Sequence, residues 1–198
     1  MEQTTSTNGR NTASPDPGYW TSVLIVSGIF SIAGFAINII FGYVQIASEP
    51  GGTVFSPMML GSVVVCLATC LGGLAAVWHV TRYSTPRMKL GRGALIGFLT
   101  GAMIVLFSTL LNELWVIFDP GYTERLLDSV VENVEAMDLP ADTQDQMIDQ
   151  MAAGVRDTSV FQQLVVGIPV TGLLNLLTGM LGVRFFAVKE EDYEDYTE

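Results

Sequence analysis

Within its four long apolar stretches this 198-residue chain carries one acid, Glu113, and a handful of amides that include Asn38 and Asn175. A carboxyl group in a nonpolar medium can relay a proton or hold a cation, and amides can line a path for a solute or ion. Glu113 lies within about two turns (at 3.6 residues each) of the end of its stretch. There it can reach headgroup water, and it lies away from the glycines of its own segment. It therefore reads first as an interfacial acid. The sharper reading is a proton or cation site, with Gln162 or Gln163 opposite.

Other reactive residue types are sparse. His79 is the only histidine and falls at a segment end. Without a cysteine or acid cluster beside it, it supports neither a usual zinc site nor a Ser/His/Asp set. Cys66 and Cys70 stand four residues apart on one segment, where small hydrophobes pack well. Packing is the expected role, with a redox or soft-metal pair as the alternative. No glycine-rich phosphate loop with a lysine is present, and the last two segments hold no Glu-x-x-His pair. The expectation is a protein that is not an enzyme, with no catalytic residues, no metal and no cofactor.

The elements that would position these groups are membrane spans. Apolar runs of about 18 residues or more with few charges are long enough to cross a bilayer. They are expected at about 20–46, 58–80, 94–118 and 160–188. Tyr19, Trp20, Tyr43, Trp78 and Trp115 fall near span ends, where aromatic belts form. The leader before the first run has one basic residue, Arg10, and the run is too long for a signal peptide. The expected organisation is a flexible cytoplasmic tail at 1–18, a four-helix membrane domain at 19–188 and an acidic cytoplasmic tail at 189–198.

The segment 119–159 is the soluble element. Asp119-Pro120 reads as a helix cap followed by proline in the first turn. Leu126, Leu127, Val130, Val131, Val134 and Met137 then recur at helical spacing. Leu139-Pro140-Ala141 interrupts them, and Asp142 or Thr143 can cap a second arm carrying Met147, Ile148, Met151 and Val155. Ten acids and two arginines occupy the segment. This predicts an acidic helical hairpin whose apolar stripes bury chiefly against each other.

The only basic loop carries Arg82, Arg87, Lys89 and Arg92. Short loops rich in Lys and Arg stay cytoplasmic. Both termini are therefore expected in the cytoplasm and the hairpin outside, in a multi-pass bacterial inner (plasma) membrane protein. The net charge of −11 excludes the basic face that nucleic acid requires.

Helical projection gives each span one small, polar face. Ser27, Ser31, Gly34, Asn38, Gly42 and Gln45 share a stripe in the first span, and Ser62, Thr69, Gly72, Gly73 and Ala76 cluster in the second. Gly93, Gly97, Gly101, Ser108 and Asn112 do so in the third. Gly167, Thr171, Gly172, Asn175, Thr178, Gly179 and Gly182 do so in the fourth. Small residues let helices approach closely and polar ones bond across the contact. Gly93, Gly97, Gly101, Gly34, Gly172 and Gly179 are the expected packing residues of a tight four-helix bundle in which Asn38 and Asn175 bond near the middle, the alternative being that those amides line a path. Pro169 favours a kink in the last span.

From Arg82 to Arg156 the sequence shows a basic loop, Gly93-x-x-x-Gly97-x-x-x-Gly101, Trp115, Asp119-Pro120, and an acidic helical segment containing Met and Gln. In this it resembles an uncharacterised family of small bacterial four-span inner-membrane proteins, a domain of unknown function. The resemblance implies a four-helix membrane domain and carries over no functional residue. The expected role is a non-enzymatic accessory or assembly component, working in the lipid bilayer with a membrane-protein partner or as a homo-oligomer. A small oligomeric channel or transporter using the polar faces is the alternative.

Overall fold

The structure, a computed structural model, describes residues 17–187 except 54, 85, 157 and 158, with the side chains of 17, 18 and 152–156 outside the description. The acidic tail, the leader before Pro17 and the Val155 side chain thus lie outside the described residues. The described residues are helical, in seven helices and no strand. They are α1 (Pro17–Ala47), α2 (Pro57–Cys70), α3 (Gly72–Tyr83), α4 (Leu90–Phe118), α5 (Tyr122–Glu135), α6 (Ala141–Arg156) and α7 (Val160–Phe186). The first helix begins at Pro17, so it takes in the last residues expected to belong to the flexible tail.

Four stretches are long and apolar enough to cross a membrane: Tyr19–Ala47, Pro57–Tyr83, Leu90–Phe118 and Val160–Phe186. In hydrocarbon every backbone N–H and C=O must bond within the protein, which a helix achieves locally. Their outward residues are large and apolar, Ile29, Ile32, Leu67, Leu110, Ile117 and Leu177 among them. The chain is a four-span membrane protein with a helical hairpin, α5–α6, between its third and fourth spans.

Local chemistry sets the ends. Ser56 accepts from the Met59 N–H at 3.3 Å with Pro57 in the first turn, and Ser159 accepts from the Gln162 N–H at 3.2 Å. α7 runs through Pro169 as one helix.

The second span is not one helix. It breaks at Leu71, ahead of Gly72-Gly73, into α2 and α3. Breaking a helix leaves backbone donors without partners. Here the Gly73 N–H donates to Oδ1 of Asn175 on α7 at 2.6 Å. The break divides the bundle into two unlike halves. Beside the basic loop, α3 packs against α7, α4 and α1. The apolar core lies there: Tyr19, Val23, Val26, Ala76, Val77, Val80, Ile96 and Val183. On the hairpin side, α2 packs on α1 but touches α4 and α7 at few positions.

The hairpin differs from expectation at its start. Asp119 does not cap α5; it follows the last turn of α4, and α5 begins at Tyr122 after Gly121. Its carboxylate is used instead by Tyr43 and Arg125, each donating at 2.5 Å. α6 starts at Ala141, so Asp142 sits inside its first turn rather than before it. The α5 stripe is buried through Leu127, Val134 and Met137, while Met151 of α6 stays exposed. The two arms also meet through polar groups: Gln144 Nε2 donates to the Met137 carbonyl at 2.7 Å, near the C-terminal end of α5. Asn133 clamps the hairpin to the α1–α2 loop, accepting from Gly51 N–H at 3.2 Å and donating to the Thr53 carbonyl at 3.1 Å. Gly52 between them has φ +58°, a left-handed conformation that favours glycine.

Candidate functional site

Where α2 stands away from α4 and α7, a cavity of about 330 Å³ remains. Residues from all four spans line it. α1 supplies Gly34, Phe35 and Asn38, and α2 supplies Ser62, Val65, Cys66 and Thr69. α4 supplies Ser108 and Asn112, and α7 supplies Val170, Thr171 and Leu174. At 1.5 Å per residue, Asn38 lies about 14 Å from the end of α1 and Asn112 about 9 Å from the end of α4. The lining mixes the apolar side chains of Phe35, Val65, Val170 and Leu174 with amides, hydroxyls and one thiol, and holds no carboxylate or ammonium.

The hydroxyls are partly self-satisfied. Ser62 donates to the Met58 carbonyl at 3.0 Å, and Thr69 to the Val65 carbonyl at 2.9 Å. The two amides are not. Asn38 and Asn112 are exposed on the cavity, and among the described residues neither has a hydrogen-bond partner. In hydrocarbon an unpaired amide costs several kcal/mol, on the order of a polar group left without any bond. Two amides without a partner inside the protein therefore face the cavity.

The three polar residues singled out in the sequence separate in the structure. Asn38, expected to bond inside the bundle, is instead exposed on the cavity wall, where α2 stands away from α4 and α7. Asn175 is fully buried and spends both ends of its amide inside the protein, accepting from Gly73 N–H and donating to the Thr171 carbonyl at 2.9 Å. Glu113, next in sequence to Asn112, is exposed and is not part of the lining. Gln162 is exposed and Gln163 half-buried, and neither lines the cavity either. His79 pairs with Ser22, Nδ1 to Oγ 2.9 Å, far from the cavity in the basic-loop half.

Five of the six glycines expected at helix contacts share one interface. A side chain at Gly97 would run into the Asn175 carbonyl, one at Gly101 would approach the Thr171 oxygen to 2.6 Å, and one at Gly179 the Gly93 oxygen to 2.5 Å. A side chain at Gly93 would meet Val183, and one at Gly172 the Phe98 ring at 2.7 Å. The α4–α7 contact is thus nearly backbone on backbone. Gly34 belongs elsewhere, in ordinary contact with Val65 and Thr69 of α2. The basic-loop residues Arg82, Arg87 and Lys89 are exposed at the opposite end, with Arg82 lying 5.7 Å over the Trp78 ring.

At the hairpin end, Tyr43, Asp119, Tyr122 and Arg125 tie α5 to α1. Tyr43 and Tyr122 rings are 5.3 Å apart, and the Tyr122 hydroxyl fills the space a side chain at Gly42 would need. The hydrogen bond from Tyr43, aided by Arg125, holds the Asp119 carboxyl below the usual carboxylate range. Burial pushes the Tyr122 phenol up. Because the folded Asp119 titrates below the ordinary group, its contribution is complete above about pH 4 and is lost as the pH falls through the lowered value. Docking of α5 should therefore loosen on the acid side, and Asp119→Asn should remove that dependence while weakening docking at neutral pH. Mobility of a spin label at exposed Asp128 on α5, followed downward from neutral pH, reads both effects.

No curated protein and no solved structure matches the chain. A family described as protein of unknown function (DUF4199) matches residues 24–184, a stretch that takes in the hairpin and nearly all of the four spans. The chain belongs to this uncharacterised DUF4199 family.

Proposed function

We propose that this chain is a non-enzymatic accessory component of a membrane assembly, and that it works by receiving a polar side of a partner's transmembrane helix at the cavity. The observation that carries this reading is the pair of unpartnered amides, Asn38 and Asn112, beside the loosely closed seam between α2 and α7. Polar contacts between helices in a bilayer contribute about 0.6 kcal/mol on average and up to about 2, and two amides offer several. Purification from the native membrane in mild detergent tests it. The wild type is expected to bring a stoichiometric second protein, and Asn38→Leu with Asn112→Leu to lose it while the chain stays folded. Recovery of a homo-oligomer alone would overturn the accessory reading.

A second reading rests on the lining itself, to which all four spans contribute. An oligomeric channel or transporter for an uncharged solute would use the same amides. It predicts flux in liposomes that Asn38→Leu abolishes. Flux indifferent to Glu113→Gln would leave that acid with no part in it.

The proposed setting is the bacterial inner membrane with both termini cytoplasmic. Its support is the cluster Arg82, Arg87, Lys89 and Arg92 at one end of the bundle and the acidic hairpin at the other. A cysteine at Arg87 is expected to resist an impermeant thiol reagent in intact cells, and one at exposed Asp128 to react. The reverse pattern would invert the topology.

A further inference from the structure

Cys66 and Cys70 lie one turn apart on α2, the half-helix that packs on α1 and stands off α4 and α7. At this spacing Cβ atoms on a helix are about 5–6 Å apart. Cys66 is exposed on the cavity wall and Cys70 is half-buried. Neither is consumed in a disulfide. Among the described residues, no group of three or more His, Cys, Asp or Glu gathers anywhere in the chain. A metal ion at this pair would therefore find two sulfurs and no third protein ligand of those types. That donor set is unsuited to zinc, which takes four ligands, and suits a soft d10 monovalent ion content with thiolates.

We infer that Cys66 and Cys70 form a two-thiolate site for a soft monovalent cation, copper(I) or silver(I) by class. Binding is an exchange of protons for metal: one Cu⁺ displaces the proton of each thiol, two protons leave to water, and no electron is transferred. The product, a dithiolate complex, carries one negative charge. A cavity without acids, lined by Asn38 and Asn112, offers amide N–H donors to that charge and no repelling carboxylate. Outer-sphere donors of this kind change metal affinity by about tenfold to a hundredfold. The inference does not depend on a partner at the α2–α7 seam, because every ligand comes from this chain.

The test is a titration of the full-length protein in lipid nanodiscs with copper(I), in competition with a chromogenic copper(I) chelator. One ion per chain is expected, bound more weakly as the pH is lowered. Cys66→Ser and Cys70→Ser should each abolish competition with the chelator, with thermal stability measured to show that both remain folded. The pair Asn38→Leu and Asn112→Leu should lower affinity by about tenfold or more. Failure of the wild type to take copper(I) from the chelator, or retention of one ion per chain by Cys66→Ser, overturns the site. Unchanged affinity in the Asn38/Asn112 variant overturns the part assigned to the amides. Zinc competing on equal terms would overturn the assignment to a soft monovalent ion.

Discussion

Replacing Gly97 by valine is expected to unfold or severely loosen the bundle. The new Cβ would enter the Asn175 carbonyl and lie 3.1 Å from the Gly179 Cα. Both obstacles are backbone, so no rotamer change relieves them, and α4 and α7 must separate. Overpacking of a close contact costs about 1–3 kcal/mol when side chains can adjust, and here it should reach or exceed the top of that range. The α4–α7 pair is the most extensive contact in the protein, and both Gly93 and Gly101 lie in it. Separating the helices at Gly97 therefore weakens its neighbours as well. Gly28 and Gly91 supply the control, because a side chain at either meets nothing within 4 Å. Alanine there should be neutral or stabilising by up to about 1 kcal/mol from helix propensity. Unfolding in mixed micelles of rising SDS fraction separates the two outcomes. Equal stability of Gly97→Val and Gly28→Ala would sink the account of this interface.

The second large effect is expected at Asn175. Changing it to leucine keeps the number of side-chain heavy atoms, at a somewhat larger volume, and removes the acceptor for the Gly73 N–H at the break in the second span. A buried donor left unpaired costs about 1–3 kcal/mol, and the bond to the Thr171 carbonyl is lost with it. The loss falls on a defined place, the first turn of α3, which should lose protection against amide exchange while the far ends of α4 and α7 keep theirs. Gly97 and Asn175 touch, so the double variant should be less destabilised than the two single costs combined. Protection of the Gly73 amide unchanged in Asn175→Leu would show that the break is held by something else.

Much of the fold was legible in the sequence because bilayer-spanning length and helical periodicity are local signals. The four apolar runs, the proline-punctuated acidic hairpin and the polar face of each span follow from residue spacing alone. Ser27 and Ser31, read as one polar stripe, are both fully buried and donate to the Thr100 and Ile104 carbonyls at 3.2 and 3.1 Å. What spacing does not reveal is how deep each face goes. Asn38 and Asn175 look alike in projection, yet one faces a cavity and the other is used up at a helix break. That break was hidden because Gly72-Gly73 reads as a small packing face, and the group that stabilises it comes from 102 residues away. Asp119 reads as a cap because Asp-Pro is a cap signal. The Tyr43 that takes it over lies 76 residues earlier, beyond any local pattern. Asn112 reads as one member of a polar face and Cys66 as half of a cysteine pair, and neither signal says that the two line the same cavity. Only the way α2 leans off the bundle places them on one wall.

A polar, water-reachable pocket and a lipid-facing dent would differ at native Cys66, which lines the cavity and reports on it directly. The measurement is alkylation of the protein in nanodiscs, with both membrane faces open, by a charged water-soluble maleimide and by a lipid-soluble one. Cys66 is expected to react with the charged reagent, faster than half-buried Cys70, and to slow when Asn38 and Asn112 are both leucine. Modification of Cys66 by the lipid-soluble reagent alone, indifferent to those two amides, would contradict the water-reachable pocket.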